Sequence, residues 1–131
     1  MSAPCPRPPV LIAEDNPVNQ LICTELLQQA GLQVELAGDG IEAVTLATLQ
    51  PYALILMDVH MPGLDGLEAT RLIRQLPAHQ HTPILAMSGS CNGAELAEAL
   101  ASGMNGHLPK PFSAEELQAT LARWLGPTTN D

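Results

Sequence analysis

Four separate apolar runs in this chain each close on a polar group. Glu14 and Asp15 follow the run 10–13, Asp58 follows 54–57, and Ser88 follows 84–87. Lys110, the only lysine, comes just after the short run 107–108 in Leu108-Pro109-Lys110-Pro111-Phe112. Three carboxylates drawn into one crevice repel each other, which raises a pKa or recruits a cation. Hard oxygen donors favour Mg²⁺, which takes one or two carboxylates together with waters and phosphate oxygens. An aspartate screened in this way can act as a nucleophile toward phosphorus and form an acyl phosphate. A serine hydroxyl and a lysine ammonium can hold the remaining phosphoryl oxygens, so little further chemistry is asked of the protein. Asp58 carries most weight, because it ends an almost wholly apolar stretch where an unpaired carboxylate is costly and needs a metal or cationic partner.

These groups share a site only if the elements bearing them are neighbours. Aliphatic runs at 10–13, 34–37, 54–57, 84–87 and 107–108 each precede a helix-like segment, and five strand-helix repeats imply a parallel sheet. Asn16 followed by Pro17 marks the first helix start, since proline's missing N–H costs nothing at the first helical position. Asp39 with Glu42, Asp65 with Glu68, Asn92 with Glu95, and Ser113 with Glu116 have the spacing of a capping box. Gly31 stands where the first helix needs a left-handed C-terminal residue, and Leu117, Leu121, Trp124 and Leu125 repeat as one buried stripe of the last helix. The fourth helix has only Leu96 and Leu100 as large aliphatics and is expected to pack least firmly. Right-handed crossovers and binding outside the carboxyl ends of the strands then place every polar candidate on one edge of the sheet. A flavodoxin-like, doubly wound (βα)5 α/β fold with strand order 2-1-3-4-5 makes strands 1, 3, 4 and 5 neighbours.

Composition narrows the alternatives. The 131 residues suit one domain, expected at 10–125, with a proline-rich arm or linker stub at 1–9 and a flexible tail at 126–131. One Phe, one Tyr and one Trp leave the core to Leu, Ile, Val, Ala and Met. A net charge of −9, with Lys and Arg numbering 5, disfavours direct binding of nucleic acid. Cys5, Cys23 and Cys91 are odd in number and form no C-x-x-C pair, which fits free thiols in a reducing compartment. No apolar stretch reaches the roughly 18 residues of a membrane span, and no secretory start is present, so a cytoplasmic location is expected.

Four motifs in order carry a resemblance to a known family. Ile12-Ala13-Glu14-Asp15-Asn16, the stretch from Leu56-Met57-Asp58 through Val59-His60-Met61-Pro62-Gly63-Leu64-Asp65-Gly66, Ala86-Met87-Ser88-Gly89, and Lys110-Pro111-Phe112 together resemble the receiver domain of two-component response regulators. Asp15-Asn16-Pro17-Val18-Asn19-Gln20 and Gly66-Leu67-Glu68-Ala69-Thr70-Arg71 are most similar to receivers of hybrid sensor histidine kinases. The resemblance runs from about Val10 to Leu125. It implies that Asp58 accepts a phosphoryl group from phosphohistidine, and that Asp15, Asp58 and the backbone carbonyl of His60 coordinate Mg²⁺, with Glu14 acting through the metal's waters. It also implies that Ser88 and Lys110 bind phosphoryl oxygens, that Pro111 follows a cis peptide bond, and that His107 occupies the switch position where the family usually has an aromatic. Output is then expected on the face made by the fourth helix, fifth strand and fifth helix. The implied partners are a histidine kinase or histidine phosphotransfer protein and a downstream protein target, and the lightly packed fourth helix leaves a weak homodimer open.

The same residues bear on other readings. A haloacid-dehalogenase-like phosphatase needs an aspartate two residues after the nucleophile, where this chain has His60. A flavin-binding protein of the same fold needs a Ser, Thr and Gly-rich phosphate loop after the first strand, where this chain has Glu-Asp-Asn-Pro. A degenerate receiver acting as a constitutive interaction module is the main alternative, and retention of Asp15, Asp58, Ser88 and Lys110 argues against it. Asp39, Glu42, Asp65 and Glu68 read as capping groups. His79 and His81 lie in a polar loop at 77–83 in which a two-histidine metal site is not expected, and Cys91 reads as incidental. The remaining residues hold no output domain, so a stand-alone regulator or a segment of a larger kinase is expected, with no external substrate turned over.

Overall fold

The computed structural model describes residues 8–61, 63–88, 93–109 and 113–125, the side chains of Ser88 and Pro109 excepted. Strands β1 (Val10–Ala13), β2 (Val34–Ala37), β3 (Leu54–Asp58), β4 (Ile84–Ser88) and β5 (Gly106–Pro109) alternate with helices α1 (Pro17–Gln29), α2 (Gly40–Leu49), α3 (Gly66–Arg74), α4 (Gly93–Ser102) and α5 (Ala114–Leu125). The sheet has five strands in the order β2-β1-β3-β4-β5. All four pairings are parallel; Val10 lies opposite both Val34 and Leu54, Ile55 opposite Ile84, and Leu85 opposite Gly106. The doubly wound α/β architecture expected from the repeats is therefore present, with strand ends one or two residues longer at β3, β4 and β5.

Period-two alternation explains how both faces are covered. Leu11, Ala13, Ile55, Met57, Ile84 and Ala86 point to one side, where they meet Ala43 and Ala47 of α2, Ala69 and Ile73 of α3, and Ala99 of α4. Val10, Ile12, Leu54, Leu56, Leu85, Met87 and Leu108 point to the other, against Cys23 and Leu27 of α1 and Leu117 and Leu121 of α5. Each large aliphatic side chain buried this way contributes about 1.5–3 kcal/mol, so nearly continuous apolar strands are what a sheet covered on both faces requires. Trp124 and Leu125 extend the α5 stripe as partly buried residues, and Arg123 lies 5.5 Å over the Trp124 ring. From α4 only Ala99 and Ser102 are buried, while Leu100 is exposed. No helix among the described residues is long and apolar enough to cross a membrane.

The helix ends show the physical reasons for their residues. Asn16 Oδ1 accepts the N–H of Val18 at 2.8 Å and of Asn19 at 3.3 Å, and Pro17 takes the first helical position. Gly31, with φ of 86°, ends α1; its N–H donates to Gln28 O at 2.9 Å and the Leu32 N–H to Leu27 O at 3.1 Å, a Schellman closure. Ser113 and Glu116 form a full capping box, at 3.0 Å and 2.9 Å. The other two described boxes are half-formed. Asp39 and Asp65 accept the N–H of Glu42 and Glu68, but Glu42 reaches back to the Gly38 N–H and Glu68 turns to Arg71. An exposed glutamate is drawn to whichever donor or cation its rotamer meets first. The Asn92 box lies outside the described residues.

The loop at 77–83 differs from expectation. It begins with a 3₁₀ turn at Pro77–His79, and His79 is fully buried rather than solvated. Its Nε2 donates to the carbonyls of Ala47 and Gln50, each at 3.1 Å, Nδ1 pairs with Thr82 Oγ1 at 2.9 Å, and its ring stacks on Tyr52. Both ring nitrogens are thus engaged by the protein.

Candidate functional site

Glu14, Asp15 and Asp58 converge where β1 and β3, adjacent strands, end. One ligand oxygen from each lies within 4.8 Å of the others. Glu14 is 1% and Asp58 4% exposed, while Asp15 is open to solvent. β1 delivers its pair because Ala13 lies in register with Met57, so the residue after each strand partner emerges at the same level. Local bonds then aim the groups. Asp58 Oδ1 accepts the His60 N–H at 3.0 Å, and Glu14 Oε2 accepts the Asn16 N–H at 3.1 Å, tying both carboxylates to the loops that follow them.

Two supporting residues escaped the reading of candidate residues. Gln20, one turn into α1, donates its amide to the Glu14 carbonyl at 2.6 Å and so fixes the turn that presents Glu14 and Asp15. Gly66, the first residue of α3, lies so close behind the site that a Cβ there would overlap the Asp58 carbonyl oxygen and stand 3.0 Å from Met57 Cγ. Glycine is required there because the start of α3 presses directly on the end of β3, and its N–H donates to Val59 O at 3.1 Å. The Asp-Gly pair at 65–66 was the available signal, one residue capping the helix and the next allowing it to approach.

Beside the carboxylates a cleft of about 650 Å³ opens between the loop after β3 and the outer turns of α4. Asp15, Val59, His60, Met61, Asp65, Leu67, Glu95 and Glu98 border it, with Gly63. The His60 side chain is 65% exposed, and its Nε2 is 3.8 Å from Glu95 Oε2. β4 ends at Ser88, which lies in register with Pro109, the residue before Lys110. The Ser88 side chain, Lys110 and the bond preceding Pro111 lie outside the described residues, as does Cys91. His107 lies on β5 opposite Ala86, partly buried; its Nε2 is shielded from solvent and has no hydrogen-bond partner among the described residues.

The donor set fits a hard divalent cation. Three carboxylates with two of them buried supply oxygen ligands and negative charge in the arrangement that Mg²⁺ favours, and among the described residues no thiol or imidazole nitrogen enters the cluster.

Comparison with known proteins gives the same picture. A family model described as response regulator receiver domain matches residues 10–122. The signal transduction histidine-protein kinase BarA of Escherichia coli K12 is 38% identical over 115 residues, covering 88% of this chain and 12% of BarA. The chain spans 12–18% of the length of the curated relatives it matches first. Among solved structures, the receiver domain of a sensor histidine kinase from Pseudomonas aeruginosa PAO1, with a magnesium ion coordinated in its active site cleft, superimposes with a TM-score of 0.86 at 42% identity. That match covers 92% of this chain and 99% of that one. The Saccharomyces cerevisiae receiver domain of Ssk1, solved with the histidine phosphotransfer protein Ypd1, has a TM-score of 0.82 at 32% identity, covering 91% of this chain and 89% of that one. With its strand order, its carboxylate cluster and a family match over most of its length, this chain belongs to the response regulator receiver domain family.

Proposed function

We propose that the chain is a Mg²⁺-dependent phosphorylation switch of a two-component phosphorelay, with Asp58 as phosphoacceptor. The observation that carries this reading is the convergence of buried Glu14 and Asp58 with exposed Asp15 at the carboxyl ends of adjacent strands. Asp15, Asp58 and the His60 carbonyl hold the metal directly, and Glu14 acts through its waters. Mg²⁺ bound there supplies positive charge that offsets the charge of the incoming phosphoryl oxygens. An Asp58 oxygen attacks phosphorus, the P–N bond of phosphohistidine breaks, and the imidazole nitrogen leaves with the electron pair. The Ser88 hydroxyl and Lys110 ammonium hold the oxygens not facing the metal. Hydrolysis reverses the state when water attacks phosphorus and the P–O bond to Asp58 breaks, returning the carboxylate and inorganic phosphate. Apart from these reactions on itself the chain turns over no substrate.

The donor is a histidine kinase or histidine phosphotransfer protein. Val18, Leu21 and Ile22 of α1, at 64%, 60% and 45% exposure, offer an apolar surface one turn from Asp15 on which such a partner can seat. Output passes to a downstream protein through the face of α4, β5 and α5, with His107 following the occupancy of the site. Residues 10–125 form the working receiver, in the cytoplasm, flanked by an arm at 1–9 and a tail at 126–131. Intact mass after incubation with acetyl phosphate or phosphoramidate tests the reading. A Mg²⁺-dependent gain of one phosphoryl group, absent in Asp58→Asn, is expected. No gain with either donor would favour a constitutive interaction module.

A further inference from the structure

We infer that the outer face of α2 is a contact surface for a second copy of this chain, and that two copies pair there with their α2 helices antiparallel about Thr45. The pairing is independent of the phosphoacceptor role of Asp58.

α2 is apolar nearly all round: of its residues Gly40–Leu49 only Glu42 is charged. Ala43 and Ala47 enter the core, while Ile41, Glu42, Thr45, Thr48 and Leu49 are exposed, Ile41 by 63% and Leu49 by 73%. At about 100° per residue these five share one face, with Thr45 at its middle. A solvated helix face ordinarily carries charge, and the other described helices do so on their exposed sides: Glu25 on α1, Glu68 and Arg71 on α3, Glu98 on α4, Glu115 and Glu116 on α5. The polar groups of the α2 face are moreover engaged by the chain's own backbone. Thr45 Oγ1 donates to Ile41 O at 2.9 Å and Thr48 Oγ1 to Val44 O at 2.8 Å. Glu42 Oε1 accepts the Gly38 N–H at 2.7 Å, which turns the carboxylate toward the helix start. Water can therefore leave this face without stranding a hydroxyl.

Charge and symmetry select the occupant. Two chains of net charge −9 repel, and they approach at least cost where neither presents a charge. A contact between identical copies must also be self-complementary. In antiparallel pairing Thr45 meets Thr45 of the second copy, and Ile41 meets its Leu49 on both sides of the two-fold axis. The small central threonines let the helix axes approach to about 8–10 Å. The two Glu42 residues then stand about 9 Å apart along the axis, whereas parallel pairing would set them side by side and align the helix dipoles. The same pairing through α1 or α4 would bury Glu25 or Glu98. No α2 residue borders the cleft beside Asp58, so the carboxylate cluster stays open in the pair. Two helices about 15 Å long cover on the order of 600 Å² in total, under the roughly 1,200 Å² of a stable complex. The dimer is therefore weak, with a Kd on the order of 100 µM.

Sedimentation equilibrium of the whole chain from about 20 µM to about 1 mM tests the pairing, and the unaltered chain should pass from monomer toward dimer across that range. Thr45→Glu sets two carboxylates against each other at the centre and should weaken pairing more than about tenfold, an effect that shrinks as salt rises. Ile41→Lys/Leu49→Glu keeps the net charge and places opposite charges across the antiparallel contact. Ile41→Lys/Leu49→Lys lowers the overall repulsion but sets like charges there, so it should pair about tenfold more weakly than the first double variant. All three positions are exposed, and circular dichroism reports that each variant is folded. Leu21→Gln on α1 and Leu100→Gln on α4, which remove exposed leucines elsewhere, should leave the Kd within about twofold. A chain that stays monomeric at about 1 mM would overturn the pairing and leave the face to a partner of another sequence. A dimer dissolved by Leu21→Gln or Leu100→Gln but not by Thr45→Glu would overturn its assignment to α2, and tighter pairing of the Lys/Lys variant would overturn the antiparallel geometry.

Discussion

Gly66→Ala tests whether the start of α3 and the acceptor strand form one mechanical unit. A methyl group at Gly66 would overlap the Asp58 carbonyl oxygen, stand 3.0 Å from the carbonyl carbon and 3.0 Å from Met57 Cγ, and meet no flexible side-chain tip that could simply swing away. Ordinary carbon contacts need about 3.5 Å or more, so either α3 retreats or the end of β3 shifts. Retreat strains the Gly66 N–H bond to Val59 O, which joins the start of α3 to the residue after β3. Overpacking of this kind costs about 3 kcal/mol, and for a domain of this size that lowers the urea midpoint by about 1.5 M. Because the strain falls on Asp58 itself, Mg²⁺ affinity should also drop by about tenfold, the size of effect seen when residues supporting metal ligands are altered. Leu27→Ala is the comparison, since it opens a cavity between α1 and the far face of the sheet at a similar cost without touching the carboxylates. Urea titration and calorimetric Mg²⁺ titration of both variants decide the matter. A Gly66→Ala protein as stable as its parent, or one weakened like Leu27→Ala with Mg²⁺ binding unmoved, would refute the reasoning.

Other consequences follow from the same contacts. Asp15→Asn should raise the melting temperature of the metal-free protein by a few degrees, because one of three crowded charges is removed, and should abolish the further rise that Mg²⁺ gives the parent. Burial, with the hydrogen bond to Glu35 second, pushes the Tyr52 hydroxyl up from 10.0 to about 12. A raised folded pKa stabilises fully below the unfolded value, so about 2–3 kcal/mol of stability should be lost between pH 10 and 12, and Tyr52→Phe should flatten that decline in urea titrations run across the interval. Arg74 donates to Gly103 O at 2.9 Å, His79 O at 2.7 Å and Asn105 Oδ1 at 2.7 Å, a fork that an ammonium cannot match. Arg74→Lys should therefore cost about 2 kcal/mol by chemical denaturation without changing the charge; an unchanged midpoint would show the fork to be dispensable.

The carboxylates of the site were legible because the rule that gathers them is local. In a doubly wound sheet a polar residue just after an apolar run stands at a carboxyl end, and neighbouring runs place such residues side by side. Glu14, Asp15 and Asp58 follow from that rule with no knowledge of what packs behind them. The braces of His79 and Arg74 did not follow, since each depends on a partner far along the chain. His79 lies in a stretch whose composition reads as solvated, yet α2 ends without a glycine cap, and its last carbonyls need a donor. The ring of His79, about 30 residues later, reaches the Ala47 and Gln50 carbonyls. Arg74 likewise bridges α3 to Gly103 and Asn105, and Asn105 in turn caps the start of β4 through the Ile84 N–H at 2.8 Å.

That division has a physical consequence for how a switch can be built on this frame. The braces of His79, Tyr52 and Arg74 draw on the amino ends of β3 and β4, where they tie α2, α3 and the turn after α4 to the sheet. At the opposite end, Glu95 of α4 lies 3.8 Å from His60 in the loop after β3, and among the described residues of α4 Ala99 and Ser102 are the buried ones. His107 faces this region with Nε2 shielded and without a partner among the described residues, a state that costs about 1–3 kcal/mol. Under the proposed switch a new charge at Asp58 acts beside this lightly buried helix. Arg74 holds the turn after α4 at the Gly103 carbonyl, so under the proposed switch a displacement begun at the loop after β3 has a fixed point at that turn and the α4–β5 surface as its outlet.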